Sequence, residues 1–128
     1  MRRHVAIISA DLADPLLSGR KRIESRLSRR RRVPFGRVRR GDLIYFKLVA
    51  GEIIGRSRVA RVLHLVDLTP RRLDDLRRRY GPAIAAPADY WQQRRDCRFG
   101  VLIWLAGLEP AWHPPRVARQ YGNGWIVL

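Results

Sequence analysis

The sequence predicts an α+β fold in which a small β-barrel of about five or six strands is flanked by short helices. Short apolar runs bounded by glycine, proline and aspartate recur along the chain, which is typical of strands joined by turns. The clearest helix signal lies in Thr69 to Tyr80, and the chain ends on the apolar residues Trp125 to Leu128. Such an apolar end is expected to pair within the sheet, as the strand that closes a barrel does. A length of 128 residues suits a single domain, 1–128.

The first predicted strand is the apolar run from Val5 to Ser9. A short helix follows, because Asp11 or Asp14 can cap its start and Pro15 fits its first turn. Gly19 suits the position just past the end of that helix. The helix therefore delivers the chain to the start of a second strand.

The second predicted strand runs from Lys21 to Leu27, and its side chains alternate between two faces. One face carries Lys21, Ile23 and Ser25, and the other carries Arg22, Glu24 and Arg26. The four consecutive arginines that follow have no regular period and precede Pro34, so we expect an exposed basic loop. That loop is either a binding element, with Phe35 and Tyr45 as stacking surfaces for unpaired bases, or a solvated segment without a partner.

Two strands and a hairpin are predicted next. Gly41-Asp42 forms a turn, Leu43 to Leu48 a strand, and Ile53 to Leu65 a long strand after a hairpin connection. In the long strand Arg56 and Arg58 share a face, and Arg61 lies on the other unless Ala60 sits in a bulge. We interpret Gly55 as permitting a bulge or close packing at a barrel corner, rather than as a ligand contact.

Thr69-Pro70 is an N-cap and first-turn pair, and Leu73, Leu76 and Tyr80 form an apolar stripe at helical spacing. Gly81-Pro82 is expected to end this helix. Ion pairs four residues apart are predicted on its surface, Asp74 with Arg78 and Asp75 with Arg79, so these aspartates are expected to be structural and not catalytic. The remaining predicted elements are a short helix within Ala88 to Asp96, a central strand from Phe99 to Leu105, a turn at Asn123-Gly124 and a last strand from Trp125.

The net charge of +16 and a pI near 11.7 indicate a polyanionic partner. Nucleic acid is the first such partner, and an anionic membrane surface is the second. Arginine enrichment from a GC-rich genome is the alternative explanation. RNA is the expected nucleic acid, with DNA as the alternative, and the sequence leaves the oligomeric state open.

Only two of the 27 basic residues are lysines, Lys21 and Lys47. An arginine-rich chain keeps a lysine where a compact, mobile ammonium cannot be replaced by a planar guanidinium. We therefore expect both lysines in one cleft, with Glu24 and Tyr45 on its wall.

The single cysteine, Cys97, excludes an internal disulfide and indicates a reducing compartment, so a cytoplasmic protein is expected. The three histidines are scattered and predict no metal site, and no cofactor is expected. No apolar run approaches the ~20 residues of a membrane span.

The order of these motifs resembles an ASCH domain of the PUA-like superfamily over the whole length of the chain. The resemblance rests on the run Gly19-x-Lys21-x-x-Glu24-x-Arg26, on Gly41-Asp42-Leu43-Ile44 and on the strand at Gly55. It implies a PUA-like barrel with a basic cleft for RNA or a nucleotide.

Three activities follow from that resemblance. ASCH-like proteins that remove an acyl group from N4-acetylcytidine have a threonine three residues after the lysine, where this chain has Glu24, so their mechanism does not carry over directly. Other ASCH-like proteins are associated with RNA cleavage, for which Lys21 as a base and the Ser25 or Tyr45 hydroxyl are candidates. The related EVE domains read modified bases between aromatic walls, here Tyr45, Tyr90 and Trp91, whereas Trp104 and Trp125 are expected to fill the core.

Nucleic-acid binding is the first functional hypothesis, and an RNA-directed enzyme is the alternative. The candidate catalytic residues are Lys21, Glu24 and Tyr45. The candidate nucleic-acid-binding residues are Lys21, Arg22, Arg26, Arg29, Arg30, Arg31, Arg32, Tyr45, Lys47, Arg56, Arg58 and Trp91.

Overall fold

The computed structural model of the chain describes residues 1–117 and 124–128, so the turn predicted at Asn123 lies outside the described residues. Six strands and three α-helices occur in the described part, together with a single 3-10 turn at Ala10–Leu12. The strands are β1 (Arg3–Ile8), β2 (Ile23–Ser28), β3 (Leu43–Leu48), β4 (Ile53–Leu65), β5 (Phe99–Leu105) and β6 (Trp125–Val127). The helices are α1 (Ala13–Leu17), α2 (Pro70–Ile84) and α3 (Tyr90–Gln93).

All six strands belong to one mixed sheet in the order β2-β5-β4-β3-β1-β6. The β1 and β3 strands are parallel, and the other neighbours are antiparallel. The sheet curls as a barrel does, but in the described residues no backbone ladder joins its edge strands, β2 and β6. The predicted α+β class and barrel-like sheet are thus confirmed, with the barrel open between these two strands.

The long strand β4 turns the sheet because its two halves pair with different neighbours. Its first half pairs with β3 and its second half with β5, and the register shifts between Val59 and Arg61. Ala60 therefore sits in a bulge, which is the alternative that the sequence left open. The prediction that Gly55 permits close packing is confirmed, since a Cβ atom there would lie 2.9 Å from the Leu108 side chain.

Two apolar clusters fill the opposite faces of the sheet. Inside the curl, Ile44, Phe46, Ile103 and Trp125 pack with Leu16 of α1. On the outer face, α2 and α3 cover a second cluster of Ile23, Leu65, Leu68, Leu73, Ile84, Trp91 and Leu102. Because side chains alternate along a strand, β2 contributes Ile23 and Leu27 to the outer cluster, while Glu24 and Arg26 lie on its inner face.

Helix α2 begins as predicted but continues further than predicted. The Thr69 hydroxyl accepts a hydrogen bond from the Arg72 N–H. The helix passes through Gly81-Pro82 to Ile84 and ends where Ala85 adopts the left-handed conformation, with φ of 52°. The extra turn is held by tertiary contacts, since Arg22 N–H donates to the carbonyl of Ala83 and the Lys21 ammonium donates to that of Ile84.

Three smaller expectations are corrected. Strand β2 begins at Ile23 and not at Lys21, because the Lys21 N–H bonds the Pro15 carbonyl of α1. Helix α3 spans only Tyr90–Gln93 of the predicted 88–96 stretch. The ion pairs of α2 join Asp75 to Arg78, three residues away, and Asp74 to Arg95, which lies beside the helix and also donates to the Pro70 carbonyl.

Candidate nucleic-acid interface

A cavity of about 310 Å³ lies at the open side of the sheet, between the end of β1 and the length of β2. We call it the edge cavity. It combines an apolar floor with hydroxyl, carboxylate and guanidinium groups. Its lining residues are Ile7, Ile8, Ser9, Leu12, Glu24, Ser25, Arg26, Leu27, Ser28, Arg32, Val33, Tyr90 and Arg94.

Glu24 and Arg26 share the inner face of β2, since they pair with Ile103 and Val101 of the inner core. The Glu24 side chain is only 5% exposed, and its Oε1 lies 3.6 Å from the Arg26 Nε. Among the described residues, neither Glu24 Oε2 nor Arg26 Nε has a hydrogen-bond partner. Two buried polar groups without partners therefore line the edge cavity, which is rare in protein interiors.

Arg26 spans the gap between the two edge strands. Its Nη2 donates to the Ile7 carbonyl at 3.1 Å and its Nη1 to the Gly124 carbonyl at 3.3 Å. Its guanidinium also lies over the Trp125 ring, 5.2 Å from the centroid. A Cβ atom at Gly124 would lie 3.1 Å from Nη1, so a glycine there permits this close approach.

Ser25 and Tyr90 bring two hydroxyl groups together on the other face of β2. The hydroxyls are hydrogen-bonded to each other. Burial raises the pKa of the Tyr90 phenol above its ordinary value. The Arg94 guanidinium lies 3.8 Å from the Tyr90 ring centroid, which places a cation beside the two hydroxyls.

The predicted basic loop, residues 29–32, is exposed and lies directly beside the edge cavity. Arg29 pairs with Asp96, and Arg31 lies over the rings of Phe35 and Phe99. Within the described part of the chain, the guanidinium groups of Arg30 and Arg32 have no partner. Arg32 also lines a neighbouring groove of about 560 Å³ with the rest of the loop.

Lys21 lies outside the edge cavity. Its ammonium is buried and donates to the carbonyls of Ile84, at 2.7 Å, and Ile23, at 3.1 Å. Glu24 was expected on the wall of the same cleft as Lys21, but its side chain lies on the inner face of β2 and lines the edge cavity. Lys21 thus joins α2 to β2.

The expectation that both lysines share one cleft is wrong. Lys47 donates to the Leu48 carbonyl and lines a separate cavity with Glu52 and Pro114. The expected wall residue Tyr45 is 2% exposed and packs in a third apolar cluster with Val5 and Leu43. It therefore offers neither a stacking face nor a reactive hydroxyl in the edge cavity.

The other predicted binding residues divide between the cavity and distant positions. Two of them belong to β4 and lie away from the cavity. Arg56 pairs with Glu109, and Arg58 donates to the Gly41 carbonyl. Trp91 is buried in the outer core and is no aromatic wall, whereas Arg22 is exposed. The expected core position of Trp125 is confirmed, and Trp104 is only partly buried beneath Arg61.

Arg94 is the cavity residue that sequence reasoning missed. Its signal was its spacing from Tyr90, since residues four apart on one helical turn share a face. This spacing alone does not predict the contact, because the short helix has no apolar stripe that defines its orientation.

A second buried polar cluster joins His4, Asp42 and Trp125 at the start of β1. Trp125 Nε1 donates to His4 Nδ1 at 3.1 Å, so the ring proton of the neutral imidazole is on Nε2 and is donated to Asp42 Oδ2 at 2.8 Å. His4 is fully buried, and none of the three lines the edge cavity. This cluster is structural.

No protein-family model matches the sequence, and no curated protein matches it significantly. Solved structures do match its fold. The crystal structure of ASCH from Zymomonas mobilis is 17% identical, with a TM-score of 0.65, over 84% of this chain and 69% of that one. A tyrosine-to-phenylalanine variant of the same protein matches with the same identity and TM-score, over 86% and 73% of the two chains.

The hypothetical protein PH0355 is 15% identical with a TM-score of 0.56, over 84% of this chain and 99% of that one. At these identities the likeness concerns the fold, and it shows that this chain has the fold of ASCH domains. Among the described residues, no helix combines the length and apolar character needed to cross a bilayer. Nor do the described residues contain a group of three or more side chains suited to a metal ion.

Proposed function

We propose that this chain binds RNA, with one nucleotide in the edge cavity and neighbouring phosphates on the basic loop. The observation that carries the proposal is the position of the buried Glu24 carboxylate beside Arg26, in a cavity bordered by Arg32 and Arg94. Such a cavity offers an acceptor for a base and cations for a phosphate. The ASCH-domain fold and the charge of +16 support this reading.

The size of the cavity fits one nucleotide. Ligand pockets span about 300–1,000 Å³ and combine apolar walls with a few polar groups. The edge cavity, at about 310 Å³, is at the small end of this range and has walls of Ile7, Leu12 and Val33. It is open on one side, so a nucleotide within a strand can enter while the chain continues outside.

The basic loop supplies the backbone contacts. Arg30 and Arg32 carry charges that no described residue neutralises, whereas Arg29 and Arg31 are held by Asp96 and by two rings. Such charges bind phosphates and release condensed counterions, which makes the affinity depend on salt. Single-stranded RNA is the favoured ligand because its bases can leave the stack to enter a cavity.

The test is a fluorescence titration of labelled single-stranded RNA at several salt concentrations. We expect the double variant Arg30→Ser/Arg32→Ser to bind at least about tenfold more weakly. The slope of log K against log salt should fall by about 1.4, which corresponds to two lost phosphate contacts on a single strand.

The matched control is Arg71→Ser/Arg77→Ser, which removes the same charge from the exposed side of α2. If both double variants weaken binding equally, only the total charge matters and the loop is not the interface. If the loop variant binds as the wild type does, the proposed interface is wrong.

An RNA-directed enzyme is the second candidate, because the Ser25 and Tyr90 hydroxyls meet in the same cavity. Burial raises the pKa of Tyr90, so its phenol stays protonated at neutral pH and can act as a proton donor. Among the described residues that line the cavity, Glu24 carries the one carboxylate, so it would have to serve as the base. Cleavage of RNA by the wild type, absent in Tyr90→Phe, would favour this candidate.

A further inference from the structure

Glu24 is an acceptor that the described fold leaves unsatisfied. Its carboxylate is buried, lines the edge cavity and has no hydrogen-bond partner for Oε2 among the described residues. A buried acceptor without a donor is destabilising. A ligand that brings N–H donors into the cavity would relieve this, and the terminal torsion of glutamate is soft enough to present both oxygens.

Arg26 narrows the choice of ligand. Its two Nη atoms are committed to the carbonyls of Ile7 and Gly124, so its position is fixed. Its Nε carries a proton with no acceptor in the described residues and lies 3.6 Å from Glu24 Oε1. The cavity thus presents an acceptor pair with a donor beside it.

We infer that the edge cavity selects guanine among the four RNA bases, with Glu24 as the residue that determines specificity; this inference rests on the proposed RNA binding. Guanine presents two adjacent N–H donors, N1 and N2, which match the two oxygens of a carboxylate. Its O6 acceptor lies next to them, where the Arg26 Nε can donate.

The other bases fit this arrangement less well. Adenine and cytosine each offer one amino donor next to a ring-nitrogen acceptor, which would face the second carboxylate oxygen. Uracil offers one N–H between two carbonyl oxygens, and both would be repelled by the Glu24 charge. The expected order of affinity is therefore guanine first, adenine and cytosine next, and uracil last.

The test compares five-nucleotide RNAs that differ only at the central base, UUGUU, UUIUU, UUAUU, UUCUU and UUUUU, where I is inosine. Inosine lacks only the 2-amino group of guanine, so it removes one of the two donors to Glu24. Because a bidentate base contact discriminates against a base that offers one donor fewer, we expect the guanine strand to bind about tenfold more tightly than the inosine strand.

The variant Glu24→Gln keeps the side-chain size but replaces one acceptor oxygen with a donor. We expect it to reduce the guanine-over-inosine ratio to about one, and its folding is checked by its unfolding midpoint. If the wild type binds all five strands equally, guanine selection is refuted while RNA binding stands. If the wild type binds none of the five strands and also fails to bind longer RNA molecules, both proposals fail.

Tightest binding of a strand whose central base is not guanine would also refute the inference, and would show that the cavity selects another base. Should Glu24→Gln fail to fold, the wild-type comparison of guanine with inosine still decides the question, since it needs no variant.

Discussion

The guanidinium of Arg26 lies 5.2 Å from the ring centroid of Trp125 and donates to the carbonyl of Gly124, the residue before it. Arg26 belongs to β2 and Trp125 to β6, the two edges of the sheet. One side chain therefore spans the gap that the backbone ladders of the described strands leave open. The edge cavity lies along this contact, so its shape depends on Arg26.

We expect Arg26→Met to lower the free energy of unfolding by about 2–4 kcal/mol. The change removes two hydrogen bonds from a charged donor and leaves the buried Glu24 carboxylate without a nearby cation. Urea denaturation measures the loss. The control is Arg22→Met, an exposed position on the same segment, which should change stability by less than about 0.5 kcal/mol.

The double variant Arg26→Met/Glu24→Gln provides a further check. It removes the uncompensated charge together with its partner, so we expect it to be more stable than Arg26→Met alone. Equal stability of the two variants would mean that the Glu24 carboxylate is not destabilising once its cation is removed.

Lys21 is predicted to affect stability and not RNA binding. Its ammonium satisfies the Ile84 carbonyl at the end of α2 and the Ile23 carbonyl of β2. We expect Lys21→Met to lower the free energy of unfolding by about 2–4 kcal/mol, because both buried carbonyls lose a charged donor. RNA affinity measured well below the unfolding midpoint should stay within about twofold of the wild type.

The neighbouring Arg20→Met is the control for Lys21, since Arg20 is exposed. A loss of RNA affinity in folded Lys21→Met, with no loss in Arg20→Met, would return Lys21 to the binding site that its scarcity first suggested.

The fold was predictable from the sequence because turn residues and apolar alternation are local signals. The start of α2 at Thr69-Pro70 could be predicted from neighbouring residues, whereas the bulge at Ala60 was left as an open alternative that the paired strands decide. The end of α2 was not predictable in this way. It depends on Lys21, which lies 63 residues away in the chain and caps Ile84.

The site was predicted in part for the same reason. Glu24, Arg26 and the basic loop were named, and they border one cavity. Lys21, Lys47 and Tyr45 were misplaced because residue scarcity and aromatic character carry no information on burial. That a lysine can be kept for capping two carbonyls, and not for a ligand, became visible only once the helix and strand had been brought together.

The pH dependence of stability offers a test of the structural cluster at His4 and Asp42. Burial acts to raise the pKa of Asp42, but hydrogen bonds from the Arg2 N–H, His4 and the Arg39 N–H outweigh it and lower the pKa below its ordinary value. The unfolded chain then binds a proton more readily than the folded chain. The stabilisation is fully present above the ordinary pKa of about 4 and is lost as the pH falls through the folded value.

We expect Asp42→Asn to be less stable than the wild type at pH 7 by about 1–3 kcal/mol, because an amide oxygen cannot accept all three hydrogen bonds. This difference should shrink as the pH falls below about 4, where the wild type loses its own contribution. Urea midpoints between pH 2.5 and 7 measure both effects, in steps of roughly half a unit around the ordinary aspartate pKa. The control is Asp75→Asn, on the exposed side of α2, which should follow the wild-type curve throughout. A pH-independent difference between Asp42→Asn and the wild type would show that the Asp42 carboxylate keeps an ordinary pKa in the fold.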